Sequence, residues 1–113
     1  MNMIESDDWP ATLIEVEKKM AEAGDKVDEA MLTVRANVLL EVGRVEDAIK
    51  DAEKAVKINE NYLSAYMAHA RALAYKNKLG AAYEMLKKAW VKDKENKKIQ
   101  ALMEMLDREI KMD

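Results

Sequence analysis

The stretch EAMLTVRANVLLEVGRVEDAIKDAEKAVKINENY, residues 29–62, decides the fold once it is laid over LSAYMAHARALAYKNKLGAAYEMLKKAWVKDKEN, residues 63–96. Ala36, Ala48 and Ala55 return 34 residues on as Ala70, Ala82 and Ala89, Leu39 returns as Leu73, and Lys54 as Lys88. Few other positions match, so the repeat is degenerate. A period in this range marks stacked supersecondary units, each unable to bury its apolar face alone. Alanine at fixed intervals records where helices cross closely, because only small side chains let two backbones approach.

Working outward, the pattern predicts six helices. The first spans about 9–23, with Asp8 as N-cap, Pro10 in its first turn and Gly24 as its stop. The second spans about 26–42, capped by Asp25 and ended by Gly43. The third covers about 45–58, where Ala48, Ile49, Ala52, Ala55 and Val56 recur at three- and four-residue steps. The fourth, fifth and sixth cover about 62–76, 79–92 and 97–111. All connectors are short, so successive helices must pack antiparallel.

Composition agrees. Ala, Leu, Met and Val carry the apolar content beside abundant Glu and Lys, there is no Phe, and one Pro and three Gly leave little material for a β-rich fold. The absence of Cys excludes a disulfide framework, a thiolate metal site and a cysteine nucleophile. No run approaches the roughly 18 apolar residues of a membrane span, and the acidic opening carries no targeting signal. A cytoplasmic protein is expected. The net charge of −3 is divided unevenly: residues 1–60 hold 15 acidic and 8 basic side chains, residues 61–113 hold 7 and 11. Such polarity suits docking of an acidic partner at the C-terminal half, or head-to-tail pairing.

Little in the chain suggests chemistry. His69 is the only histidine, and no nucleophile–base pair or metal constellation can be assembled around it. Carboxylates such as Glu46, Asp47 and Asp51 alternate with Lys50 and Lys54 at the spacing of a solvated helix face. Gly24, Gly43 and Gly80 are scattered and form no phosphate loop. No enzyme, no metal and no cofactor is expected. The basic run Lys87, Lys88, Lys92, Lys94, Lys97 and Lys98 complements a helix C-terminus. It is also a candidate for acidic protein segments. Nucleic acid is not expected, since no aromatic residue interleaves the run. Trp90 is read as core, and Trp9 as a staple or an exposed contact.

Residues 29–96 resemble two tetratricopeptide repeats, 29–62 and 63–96. The matching positions are Leu32 and Tyr66, then Ala36 and Ala70, then Leu39 and Leu73, with Gly43 at the first turn. In the second helix of each unit they are Ala48/Ala82 and Ala55/Ala89. Arg35 and His69 stand where the family usually has Leu, and Glu60 and Lys94 where it usually has Pro. Extending the period places Ala21 before Ala55, so 9–28 reads as a partial unit following a tail, 1–8. Residues 97–113 read as a capping helix with Ile99, Leu102, Met103, Leu106 and Ile110 on one face and Gln100, Glu104, Asp107 and Lys111 on the other.

The resemblance implies an all-α fold, antiparallel helical hairpins stacked as a short right-handed solenoid of about six helices. It also implies a non-enzymatic adaptor that captures a protein or peptide in a concave groove. The wall would be formed by Thr33, Asn37, Leu40 and Glu41, then Met67, Arg71 and Tyr75, then Lys98, Leu102 and Met105. Some members clamp the C-terminal carboxylates of heat-shock chaperones with five Lys, Asn and Arg positions. The matching places hold Thr33, Asn37, Ala68, Lys98 and Leu102, of which only Asn37 and Lys98 fit, so that mode is not expected. The alternative is a self-associating assembly protein, such as a homodimer, joined through end helices such as the one bearing Leu13 and Met20.

Overall fold

The structure, a computed structural model, describes residues 8–112. It is all helix: α1 (Trp9–Ala23), α2 (Glu29–Glu41), α3 (Val45–Ile58), α4 (Leu63–Tyr75), α5 (Leu79–Lys92) and α6 (Lys97–Lys111), with no strand among the described residues. Each helix packs on its chain neighbours, and α2 also lies beside α4. The molecule is therefore a short helical solenoid, as the alanine period and short connectors predict. Of the expected tail, residues 1–7 lie outside the described residues.

Two helices begin with side-chain caps of the kind the sequence chemistry requires. Asp8 caps α1 by accepting the Ala11 amide at 3.2 Å, and Asn96 caps α6 by accepting that of Ile99 at 3.0 Å. The second helix starts later than expected. Gly24–Lys26 form a 3-10 turn, Val27 is extended, and the cap is Asp28, which accepts the Met31 amide at 2.9 Å. Asp25 lies inside the turn that follows the left-handed Gly24, so it has no helix to cap.

The two A–B turns are built alike. Gly43 and Asn77, one period apart, both have positive φ, 88° and 60°. In the first, the Arg44 amide reaches the Leu39 carbonyl at 2.8 Å and Gly43 reaches Leu40 at 3.1 Å. In the second, Lys78 reaches Leu73 and Asn77 reaches Ala74, both at 2.9 Å. This is the Schellman arrangement, which satisfies two orphan carbonyls while reversing the chain.

The recurrent alanines are the helix crossings. Ala36, Ala48, Ala55, Ala70, Ala82 and Ala89 are all at most 3% exposed. Around them Leu39, Leu40, Leu86 and Ile99 fill the space between layers, each at most 2% exposed. Burying one such side chain contributes about 1.5–3 kcal/mol. Leu13 and Met20 of α1 are also buried, at 7% each, so α1 covers the first hairpin and leaves neither for association. Trp9 and Trp90 pack half-buried against the core. On α6, Ile99 and Leu106 are buried, whereas Ile110 in the last turn is exposed.

Candidate functional site

The wall expected to bind a partner is the surface shared by α2 and α4. Val34, Asn37 and Glu41 form one stripe of α2, at the three- and four-residue steps of a single helix face. Ala68, Arg71 and Tyr75 stand at the equivalent places of α4. The two stripes meet through Arg71, whose guanidinium donates to Asn37 Oδ1 at 2.7 Å and to Glu41 Oε2 at 3.2 Å. On either side of this polar knot sit Val34 and Tyr75, 50% and 55% exposed. Beyond Val34 the surface dips into an apolar hollow of about 210 Å³ lined by Val16, Lys19 and Met20 of α1 and Ala30, Met31 and Val34 of α2.

The expected wall residues divide by burial. Asn37, Arg71, Glu41 and Tyr75 are brought together at the surface. Thr33 and Leu40 are not available to a partner, which corrects the expectation. Thr33 is 4% exposed and its hydroxyl donates to the Glu29 carbonyl at 2.8 Å, while Leu40 is 1% exposed within the first core cluster. Both point between α2 and its neighbours. Met67 and Leu102 pack half-buried against the second core cluster. Lys98 and Met105 are exposed on α6, which rests on α5. The hollow beside α1 was not anticipated. Its lining residues carry an ordinary amphipathic pattern, and only the angle at which α1 meets α2 opens the space.

Of the five places expected for a carboxylate clamp, Thr33 and Ala68 are buried, Leu102 packs half-buried against the core, Asn37 is engaged by Arg71, and Lys98 is exposed on α6. The cation on the α2–α4 surface, Arg71, is paired with Glu41.

The opposite side of the helices is organised differently. Arg35 grips Asp51 of α3 through two bonds, Nε to Oδ2 at 2.6 Å and Nη2 to Oδ1 at 2.9 Å, with Glu17 of α1 at 3.9 Å. Asp51 is 3% exposed, and its bidentate bond, stronger than the opposing cost of burial, raises the Arg35 pKa further. His69, the equivalent of Arg35, lines a hollow of about 420 Å³ with Glu53, Val56, Lys57, Tyr66, Met85 and Lys88. Burial pushes the imidazole pKa down, Glu53 opposes this, and Lys88 reinforces it. The Tyr66 hydroxyl donates to the Glu60 carbonyl at 2.8 Å and ties down the α3–α4 loop.

The basic run is dispersed. Lys92 reaches Asn61 at 3.5 Å and Glu60 at 4.0 Å, and Lys94 sits 5.3 Å from the Trp90 ring centroid. Lys87, Lys88, Lys97 and Lys98 are exposed. Among the described residues there is no cluster suited to a metal ion and no helix long and apolar enough to cross a membrane.

No family model matches the chain. A curated relative, Hsp70-Hsp90 organizing protein 1 of Glycine max, is 50% identical over 52 residues, 46% of this chain. The chain spans 9% of the length of that relative. Among solved structures, the first TPR of Spaghetti (RPAP3), bound to the HSP90 peptide SRMEEVD, superposes with a TM-score of 0.79 at 18% identity, covering 95% of this chain and 85% of its own. The TPR2B domain of yeast Sti1, in a pHsp70 complex, gives a TM-score of 0.79 at 24% identity, covering 94% and 88%. Six antiparallel helices among the described residues, alanine crossings one period apart and these superpositions agree: the chain has the fold of a tetratricopeptide-repeat domain.

Proposed function

We propose that this domain is a non-enzymatic adaptor that binds a segment of a partner protein along the α2–α4 wall. The observation that carries the reading is the Arg71 bridge to Asn37 and Glu41, flanked by the exposed Val34 and Tyr75. An exposed tyrosine beside a positioned arginine is a common pair of anchors in protein recognition. The hollow next to Val34 gives an apolar side chain of the partner a place to enter, with the half-buried Met31 able to adapt to its shape. The polar knot then orients the backbone or a neutral side chain. The division into units 9–28, 29–62, 63–96 and a cap at 97–113 belongs to this reading, as does a cytoplasmic setting.

The related domains are described with chaperone peptides, one of which ends in EEVD. This wall lacks the free positive charge to hold such an end, so the favoured ligand here is apolar and neutral. Self-association through α1 is the weaker reading, because Leu13 and Met20 are already covered.

The test is a pull-down with wild type and the Arg71→Ala, Tyr75→Ala double variant, followed by titration of the recovered segment and of SRMEEVD. Wild type should bind the segment and not SRMEEVD, and the variant should lose the segment. Retention of every partner by the variant would place binding elsewhere.

A further inference from the structure

The two hairpins differ at one equivalent pair of residues on the side away from the α2–α4 wall. In the first, Arg35 is matched by the buried carboxylate of Asp51. In the second, the cation position is His69, and the place of Asp51 is taken by Met85. His69 and Arg71 lie two residues apart on α4, about 200° around the helix, so the two surfaces face opposite ways. The hollow at His69 has Lys57 of α3 and Lys88 of α5 at its rim, neither in an ion pair among the described residues. Glu53 of α3 is the single acid lining it, and Val56, Tyr66 and Met85 make its apolar surface. The second hairpin thus has a protonatable ring where the first has a cation, and lacks the matching acid.

We propose that a partner supplies the missing group: the hollow binds a carboxylate side chain, with an apolar neighbour, from an acidic protein segment. Two lysines against one carboxylate give the complementarity, the imidazole can take up a proton beside the incoming acid, and the apolar lining accepts the flanking residue. Asp51 at the equivalent place of the first hairpin shows the kind of anion that this geometry holds. A phosphate, with its larger charge, would crowd Glu53. This surface is independent of the α2–α4 wall, so a single molecule could join two partners.

His69 is the only histidine in the chain, so its imidazole proton signals report on the site directly. The probe is the acetylated and amidated peptide Ala-Leu-Asp-Leu-Ala, titrated into the full chain, with its Asn counterpart and inorganic phosphate as controls. The groups facing the imidazole are Glu53 and Lys57 from α3, Tyr66 from α4 and Lys88 from α5. The Asp peptide should shift the His69 signals and raise the pKa of the imidazole by about one unit, the effect of an opposite charge a few ångströms away. No shift, or an equal response to the Asn peptide or to phosphate, would overturn the proposal.

Met85→Asp restores the first hairpin's acid. It should raise the His69 pKa without peptide and abolish the peptide response. A folded Met85→Asp that still responds as wild type does would also overturn the proposal. If that variant loses its helical signal, the exposed pair Lys57→Glu, Lys88→Glu carries the same test. It should weaken the response about tenfold or more, and an unchanged response would reject the site. Arg71→Ala should leave the His69 response intact, which separates this site from the wall.

Discussion

Arg35 and Asp51 join α2 to α3 by a two-pronged bond of 2.6 and 2.9 Å, with the carboxylate almost wholly buried. The guanidinium keeps about a quarter of its side-chain surface in water, 25% against 5% for Asp51. Removing one partner of a buried pair strands the other charge, at a cost of about 3–5 kcal/mol when both are fully buried. Here the stranded Arg35 can turn to solvent or to Glu17. Asp51→Ala should therefore destabilise by about 1–3 kcal/mol, measured by urea unfolding. A change within error would show that the pair merely decorates the surface.

His69 makes stability depend on pH. Its folded pKa lies below the ordinary histidine value because burial disfavours the charged ring. As pH falls below about 6.5 the unfolded chain takes up the proton first. The contribution of the neutral ring is thus full above that value and lost as pH falls through the folded pKa. Wild type should lose more stability between pH 7.5 and 5.5 than His69→Gln does. Equal slopes in paired melts would show that the ring is as free as in the unfolded chain.

The fold was legible because its determinants are local. Alanine spacing, Asp8, Gly43 and the connector lengths fix where helices begin, turn and cross, and all repeat within a short window. The start of the second helix was not, since Asp25 and Asp28 both offer a cap and the turn at Gly24 selects between them. The wall was legible only as a list of helix positions. Periodicity cannot separate Thr33 and Leu40, which turn inward, from Val34 and Glu41, which do not, until the crossing angles are known. The bridge from Arg71 to Asn37 and Glu41 depends on the same angles, and so does the hollow between α1 and α2.

The turns carry their own test. Asn77 holds a left-handed conformation at φ 60°, where the matching residue of the first turn is glycine. An added Cβ at Gly43 meets no neighbour, so the penalty there is conformational and not steric crowding. Asn77→Gly should leave stability nearly unchanged or raise it slightly, by up to about 1 kcal/mol. Gly43→Ala should lower it by about 1 kcal/mol. Melting curves of the two variants should move in these unequal directions; a gain from Gly43→Ala would contradict the backbone argument.

The alanine crossings make a sharper demand. Ala48 and Ala82 are 1% and 0% exposed at equivalent crossings of the two hairpins. Ala48→Leu or Ala82→Leu should destabilise by about 1–3 kcal/mol, because the packed helices must part to admit the larger side chain. Unchanged melting temperatures in both variants would mean that the helices do not approach there.

Met67 and Tyr75 separate packing from binding on a single helix. Met67 is half-buried against the second core cluster, whereas Tyr75 is 55% exposed beside the Arg71 bridge. Truncating a packed methionine removes apolar contacts from the core and leaves a gap, whereas truncating an exposed tyrosine removes little from the folded state. Met67→Ala should cost about 1–3 kcal/mol of stability, below the range for a fully buried side chain. Tyr75→Ala should alter stability by at most about 0.5 kcal/mol. Binding should show the reverse order. If Tyr75 anchors the partner segment, its loss should cost more than about 1 kcal/mol of affinity, and Met67→Ala, measured well below its melting point, should cost less. Paired melts and titrations of the same two variants decide the matter. A partner that is insensitive to Tyr75→Ala but lost with Met67→Ala would place recognition deeper between α4 and α5, and the exposed α2–α4 stripe would no longer be the binding wall.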